Sequence, residues 1–484
     1  MLLAIDIGTS SAKAITMNPQ TAKIIALAAA EYPVRKPLPD RAEQDPADWW
    51  SAVIEVVRKV SADVQISAIG LTGQMHGTVL LDADHQPTQH AIIWADQRSA
   101  ATVATMPDHT TITGTRPAAG FMASTLAWLR DHAPEVLDRA QHALLPKDYV
   151  RLKLTGELAT DVSDAASTAL FDVRAGDWSD EVIGALGLPR EIFPQVSGSA
   201  QIAGRLTAAA ADALGLQAEI PVVAGCADQP AQAIANGLTK PGIAAVTVGT
   251  GGQVFVPLGL NENDELPTDP RLHVFNHAVP GQVYALGAIL AAGLALRWLR
   301  TLTAAPDFET LSLEAGEITA GANGLLFLPY LAGERTPHMD PRARGAFVGL
   351  SDYHTRGHLA RAVMEGVAYA LRQTLEIATG LGTPVKTLIA AGGGMESDTW
   401  HGILADVLDL PLQRTLQAEQ TCLGAAVLAG VGSGDYATII EGALAVTQYG
   451  TLTSPHHQAV YNDRYAQFVT LYPTLRDDMH RLSG

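Results

Sequence analysis

Short apolar runs that end in glycine and polar residues alternate along this chain with longer stretches in which apolar positions recur at helical spacing. The first run, residues 2–5, reads as a buried strand. Residues 67–71 lead into Thr72-Gly73-Gln74-Met75-His76-Gly77, and residues 91–94 into Ala95-Asp96-Gln97-Arg98. Residues 221–224 lead into Gly225-Cys226-Ala227-Asp228-Gln229, and residues 386–391 into Gly392-Gly393-Gly394-Met395. Between the runs lie Ala/Leu-rich segments such as 359–375, which read as helices. Strands alternating with helices predict an α/β architecture. In open α/β sheets ligands bind beyond the carboxyl ends of the strands, where these polar and glycine-rich residues collect.

The turn after the first strand is Asp6-Ile7-Gly8-Thr9-Ser10-Ser11-Ala12-Lys13. Its glycine permits a close backbone approach. Its hydroxyls, N–H groups and lysine can hold phosphate oxygens, and Asp6 can hold a hydrated Mg²⁺. A variant returns past mid-chain as Val246-Thr247-Val248-Gly249-Thr250-Gly251-Gly252. Two such openings predict two related domains facing one nucleotide. The turn-rich bridge Asn236-Gly237-Leu238-Thr239-Lys240-Pro241-Gly242 places the boundary at 238/239, giving domains 1–238 and 239–484.

Composition narrows the classes. Of 484 residues, 47% are hydrophobic and 17% charged, enough for sizeable cores and too apolar for disorder. A formal net charge of −18 argues against nucleic-acid or anionic-membrane partners. A polyphosphate must therefore be received by local N–H groups, a few cations and a metal. Two cysteines, Cys226 and Cys422, in apolar contexts fit a reduced cytoplasmic setting without a disulfide framework. Asp6 interrupts the first apolar run, so no signal peptide is expected, and the longest apolar stretch, 284–296, has 13 residues where a membrane span needs about 20. Walker A, protein-kinase, zincin, nucleophile-elbow and Rossmann patterns are all missing.

Several segments, in order, resemble the FGGY family of carbohydrate kinases over nearly the whole chain, and within it the branch that phosphorylates xylulose. They are Asp6-Ile7-Gly8-Thr9-Ser10, Gln74-Met75-His76-Gly77, Lys147-Asp148-Tyr149, Asp161-Val162-Ser163-Asp164-Ala165 and Pro329-Tyr330-Leu331-Ala332-Gly333-Glu334-Arg335-Thr336-Pro337. Residues 345–365, from Gly345-Ala346-Phe347-Val348-Gly349-Leu350 to Met364-Glu365, resemble the family's second signature. Two positions depart from the pattern. Thr125 stands where the first signature usually has lysine, and Gln229 where many members of the xylulose branch have asparagine, as it does in glycerol kinases.

The resemblance implies two ribonuclease-H-like (actin-type ATPase) domains with a central cleft, using ATP and Mg²⁺ to phosphorylate D-xylulose. L-ribulose, glycerol, gluconate or a tetritol are alternative acceptors, and a non-catalytic ATP-binding sugar sensor is the alternative of another class. It implies Asp228 as general base, although an Asp in that place can also cap the next helix. Asp6, with Asp228, would serve the metal, and Thr9, Ser10 and Lys13 would face the transferred phosphate. Gly249, Thr250 and Gly251 would meet the other side of the phosphate chain. Met75, His76, Trp94, Asp96 and Gln229 would line the sugar site; Asp96 can equally pair with Arg98. Gly393, Gly394 and Ser397 would hold the adenosine, with Gly293 and Arg297 beside it, although Arg297 also reads as a solvated helix charge. Glu334, Arg335 and Thr336 read as structural at the domain interface. A homodimer is common in the family.

Overall fold

A computed structural model describes residues 1–260 and 265–483 of the chain. The first half builds a seven-stranded sheet from β1 (Leu2–Ile7), β2 (Ser11–Asn18), β3 (Lys23–Glu31), β4 (Ala68–Gly73), β5 (Ile202–Arg205), β6 (Pro221–Val223) and β7 (Cys226–Ala227). The second half builds another from β8 (Ile243–Val248), β9 (Gly252–Gly259), β10 (His273–Asn276), β11 (Gln282–Ile289), β12 (Thr387–Ala391), β13 (Leu412–Thr415) and β14 (Tyr449–Thr453).

The sheets share one plan. The orders are β3-β2-β1-β4-β6-β5, with β7 also on β4, and β11-β9-β8-β12-β13-β14, with β10 outside β11. In each, a leading strand makes an antiparallel hairpin on one side (β1–β2, β8–β9) and pairs in parallel on the other (β1–β4, β8–β12). β1 and β4 are buried at every position, as parallel strands covered on both faces must be. The strand-to-helix break that the sequence puts after 224 is sharp: Gly225 has φ 82° and lets the chain restart as β7 before the helix.

The helices that matter to the cleft are α1 (Pro46–Val60), α2 (Pro146–Thr155), α3 (Val162–Ala166), α4 (Asp228–Ala235), α5 (Gly293–Leu302), α6 (Phe308–Gly316), α7 (Arg356–Thr379), α8 (Asp398–Leu408), α9 (Gln420–Ser433) and α10 (Gln458–Leu482). α1 covers β2 and β3, and α7, whose apolar residues include the segment 359–375, covers β9 and β11. α4 and α9 cross over. α9 belongs to the second half by sequence yet packs on β1 and β4 of the first sheet. α4 packs against α9 and brings Ala233 into the core shared with Ala245 and Phe255 of the second sheet. The chain passes once between the sheets near 238/239, but the packing passes in both directions.

The seam is made of small residues. A Cβ on Gly70 of β4 would lie 2.0 Å from the carbonyl oxygen of Ala425, and one on Gly424 would lie 2.0 Å from that of Ala231. Among the described residues no helix is long and apolar enough to cross a membrane. Replacing Gly70 by Ala is expected to push α9 off β4, at a cost of about 1–3 kcal/mol or more. Thermal melting should read that loss directly, and an unchanged melting temperature would contradict the close approach.

Candidate functional site

Strand register brings the acidic residues together. β4 pairs in parallel with both β1 and β7, so that Asp6 and Cys226 each lie opposite Thr72, and Ile7 and Ala227 each lie opposite Gly73. Asp6 and Asp228 therefore emerge at the same carboxyl edge. Asp228 is the first residue of α4; Ala227 is the N-cap and no side-chain cap forms, so the capping alternative does not hold. Asp6 is 8% exposed, and its Oδ2 accepts from Thr421 Oγ1 at 2.7 Å, a residue of α9. Asp6 Oδ1 and Asp228 Oδ1 are enclosed and have no hydrogen-bond partner among the described residues.

Burial raises both carboxyls. For Asp6 the Thr421 hydrogen bond and the Lys13 charge oppose it. For Asp228 burial and then the charge of Asp6 push the group up to about 7, a value suited to taking a proton near neutrality. Behind them lies a fully buried ionic cluster. Lys147 Nζ stands 2.6 Å from Asp148, 2.9 Å from Asp161 and 3.4 Å from Asp164, and Arg151 pairs with Asp148 at 2.8 Å. Burial, with Asp148, Asp161 and Asp228 adding to it, holds the Asp164 carboxyl well above the carboxylate range.

The two orphaned oxygens fit a divalent cation. Mg²⁺ takes one or two carboxylates and fills its shell with water and phosphate oxygens, and does not need an all-protein cage. Asp6 and Asp228 supply that pair, and no cluster of three acidic, His or Cys ligands occurs among the described residues.

The first turn is tied to its neighbours. Trp94 Nε1 donates to Thr9 Oγ1 at 2.9 Å, and Gln44 Nε2 donates to the Thr9 carbonyl at 2.8 Å. Ser10 is exposed, and Lys13, opposite Asp6 on β2, pairs at 2.9 Å with Glu419, the residue before α9. Lys13, Glu419, Thr421, Gly392, Gly393 and Arg414 line a cavity of about 420 Å³.

That cavity shares Gly393 and Glu396 with a larger one of about 790 Å³. Gly249, Thr250, Gly293, Arg297, Gly393, Gly394 and Ser397 all line the larger cavity. Two of these glycines are sterically required, since a Cβ on Gly293 would lie 2.5 Å from the Gly249 carbonyl and one on Gly394 2.5 Å from the Val248 side chain, whereas Gly249 and Gly393 have room for one; Gly251, outside that lining, would bring a Cβ 2.7 Å from the Ile289 carbonyl. Arg297 is exposed. Ser397 Oγ caps α8 by accepting from Trp400 N at 3.0 Å and meets Ser312 Oγ at 2.5 Å.

On the other side of the two aspartates, Met75 and His76 follow β4. His76 sits at φ 71°, an uncommon conformation for a residue with a side chain. Ser167, just beyond α3, holds it twice: the His76 N–H donates to Ser167 Oγ at 3.2 Å, and Nδ1 lies 2.7 Å from the Ser167 carbonyl. A carbonyl only accepts, so Nδ1 carries the proton and Nε2 keeps a lone pair. The ring stacks on Phe121 at 3.9 Å, and burial pulls its basicity down to about 4, so it is neutral. Gln229 is half-buried beside Phe255 and Thr247.

Asp96 is corrected. It is 1% exposed, and both its oxygens are used by Arg98 at 2.8 Å and by the backbone N–H groups of Ala42 and Arg98. It braces the loop that carries Trp94 and has no acceptor left for a sugar. Thr421, Glu419, Ser167, Phe121 and Ser312 were not legible as site residues, because their partners are distant in sequence and no local spacing marks them.

One carboxyl outside the pair ties two stretches of the second half together. Glu334 is 2% exposed; its Oε1 accepts from Leu290 N at 3.0 Å and Arg335 N at 2.7 Å, and its Oε2 has no partner among the described residues. Burial raises it to about 8.

A family model described as the N-terminal domain of the FGGY family of carbohydrate kinases matches residues 1–235, and the corresponding C-terminal domain model matches residues 244–433. A xylulose kinase of Escherichia coli (strain K12) is 36% identical over 98% of this chain and 99% of its own. One of Bacillus subtilis (strain 168) is 35% identical over 98% and 96%. The crystal structure of a xylulose kinase from Rhodospirillum rubrum superposes with a TM-score of 0.92, at 32% identity over 99% of each chain.

The raised Glu334 group has a stability signature. Between its ordinary value of 4.5 and about 8 the unfolded chain has lost this proton and the folded one keeps it, so stability falls as pH rises through that window. Glu334→Gln, which has no proton to lose, is expected to melt at a higher temperature than the parent at pH 8–9, with the difference vanishing near pH 4.5. Parallel melting curves across the whole range would contradict the assignment.

Proposed function

Because the chain belongs to the FGGY family of carbohydrate kinases, we propose that it transfers the γ-phosphoryl group of ATP to the 5-hydroxyl of D-xylulose, releasing D-xylulose 5-phosphate and ADP. The observation that carries this reading is the pair of enclosed, unpartnered carboxylate oxygens on Asp6 and Asp228, at one carboxyl edge of the first sheet. The substrate follows the relatives whose similarity spans nearly the full chain.

Asp228 is read as the base. Its carboxylate takes the hydroxyl proton as the sugar oxygen forms its bond to the γ-phosphorus and the bond from that phosphorus to the bridging oxygen breaks. Asp6 and Asp228 would hold Mg²⁺, which when bound neutralises charge on the phosphate oxygens. Thr9, Ser10 and Lys13 are assigned to the transferred group, and Gly249, Thr250 and Gly251 to the opposite side of the phosphate chain. Gly293, Arg297, Gly393, Gly394 and Ser397 are assigned to the nucleoside.

His76 presents a lone pair to a sugar hydroxyl, and Met75, Trp94 and Gln229 complete that pocket. For this reading the chain divides into 1–238, with the sugar, and 239–484, with the nucleotide. The proposal extends to a homodimer and to a reduced cytoplasmic setting, which two free buried cysteines suit.

ADP release measured with Mg-ATP against D-xylulose, L-ribulose, glycerol, gluconate and no sugar tests the substrate. Strong stimulation by D-xylulose is expected; stimulation by another acceptor alone would move the substrate, and none at all would favour a sensor. Asp228→Ala is expected to lower kcat about 10²–10⁴-fold while calorimetric ADP affinity stays near that of the parent. Near-normal turnover in a folded variant would remove Asp228 from the mechanism.

A further inference from the structure

One buried segment of the first half touches both the chain that carries Asp228 and the residue that fronts the sugar pocket. It runs from Asp161 through α3 to Thr168, and Asp161, Ser163, Asp164, Ser167 and Thr168 are all fully buried. Ser163 Oγ accepts from the Ala227 N–H at 3.1 Å and donates to Asp161 Oδ2 at 2.6 Å. Ala227 is the N-cap of α4, and Asp228 follows it directly. Ser167 takes both donors of His76, the N–H on its Oγ and Nδ1 on its carbonyl, and donates its own hydroxyl to the Asp164 carbonyl at 2.7 Å. The Thr168 carbonyl accepts from Ala123 N at 3.0 Å, beside the Phe121 on which the His76 ring stacks.

The spacing and the anchoring of the two serines fit a shared bracket. Residues four apart lie on one face of a helical turn, so Ser163 and Ser167 reach the same side of α3. A hydroxyl can accept one hydrogen bond while donating another, and each serine does both. Ala227 is itself fully buried, and a buried N–H needs an acceptor. The segment is pinned from behind. Asp161 Oδ2 also receives the Ser163 N–H at 2.9 Å and Ser199 Oγ at 2.8 Å, and Lys147 Nζ stands 2.9 Å from Asp161 and 3.4 Å from Asp164. Charges paired in an interior are costly to separate, so α3 has little freedom to shift.

We propose that Ser163 and Ser167 are paired positioning residues: Ser163 holds the Ala227 peptide and so aims Asp228, Ser167 holds His76 and so places the sugar, and α3 keeps the two at one spacing. This rests on the kinase reading above and goes beyond it. The alignment of base and accepting hydroxyl is then built into the first half of the chain, and the nucleotide side has only to bring the phosphoryl group to it. Phosphoryl transfer draws much of its rate from such placement, and a small misplacement from a distant change is costly.

Steady-state kinetics at saturating Mg-ATP, with calorimetric titration of D-xylulose and of ADP, test this, because the two serines are expected to fail differently. Ser163→Ala is expected to lower kcat about tenfold while KM and calorimetric affinity for D-xylulose stay within about twofold. Ser167→Ala is expected to raise KM and weaken D-xylulose affinity about tenfold while kcat stays within about threefold. Ser163→Thr keeps the hydroxyl and should recover most of the lost turnover. Should Ser163→Ala not fold, Ser163→Cys, with its weaker acceptor, takes its place and should also lower kcat alone. ADP affinity should stay within about twofold throughout, since the nucleotide cavity is lined by other residues. A folded Ser163→Ala or Ser163→Cys protein with the parental kcat overturns the proposal, and so do two alanine variants that lose kcat and sugar affinity in equal proportion. A parent protein that phosphorylates no acceptor overturns the kinase reading and this inference with it, whereas an active parent matched by both variants overturns this inference alone.

Discussion

Backbone contact between the two halves, without side chains in between, is the constraint on which the site depends. Gly70 lies against Ala425 and Gly424 against Ala231 so closely that a methyl group fits at neither position. That seam fixes α9 under β1 and β4 and so brings Thr421 to Asp6 and Glu419 to Lys13. The walls of the cleft are therefore in register because their supporting helices touch at atomic distance. Interiors packed this tightly transmit displacement instead of absorbing it.

Charge is managed locally within an acidic molecule. The formal net charge is −18, yet Lys13 and Arg414 line the smaller cavity and Arg297 the larger one. Burial raises both central carboxyls, Asp6 and Asp228, and the charge of Asp6 adds to the rise at Asp228. The Lys147 cluster behind them pairs internally, and burial among acidic neighbours raises the Asp164 carboxyl against the Lys147 charge. Buried ion pairs of this kind stabilise little in net terms but are costly to break.

Much of this architecture was legible in the residues. Apolar runs ending in Asp-Ile-Gly-Thr and in Val-Gly-Thr-Gly marked the two leading strands, because a strand buried on both faces must be continuously apolar and a turn approached by a ligand needs glycine. The helix pattern over 359–375 lay inside α7. What could not be read were pairings made in space alone. Thr421 with Asp6 and Ser167 with His76 leave no periodic trace, and the exchange of α4 and α9 leaves none in a boundary drawn from a glycine- and proline-rich bridge. Asp96 was misplaced for a related reason: the sequence shows a carboxylate after a strand, but only the folded loop shows that Arg98 and two N–H groups have already used both oxygens.

The exchange of helices also governs the order in which the molecule can come into being. Leu2, Ala4 and Ala68 on the first sheet share a core with Leu423, Ala426 and Leu428. A ribosome that has made the first sheet, complete at Ala227, has made only one of its two covers, and the other, α9, is complete only at Ser433, after about four-fifths of the remaining synthesis. Folding domain by domain as the chain emerges, the usual protection against misassembly, is closed to this topology. The apolar face of the first half is completed only by residues 420–433.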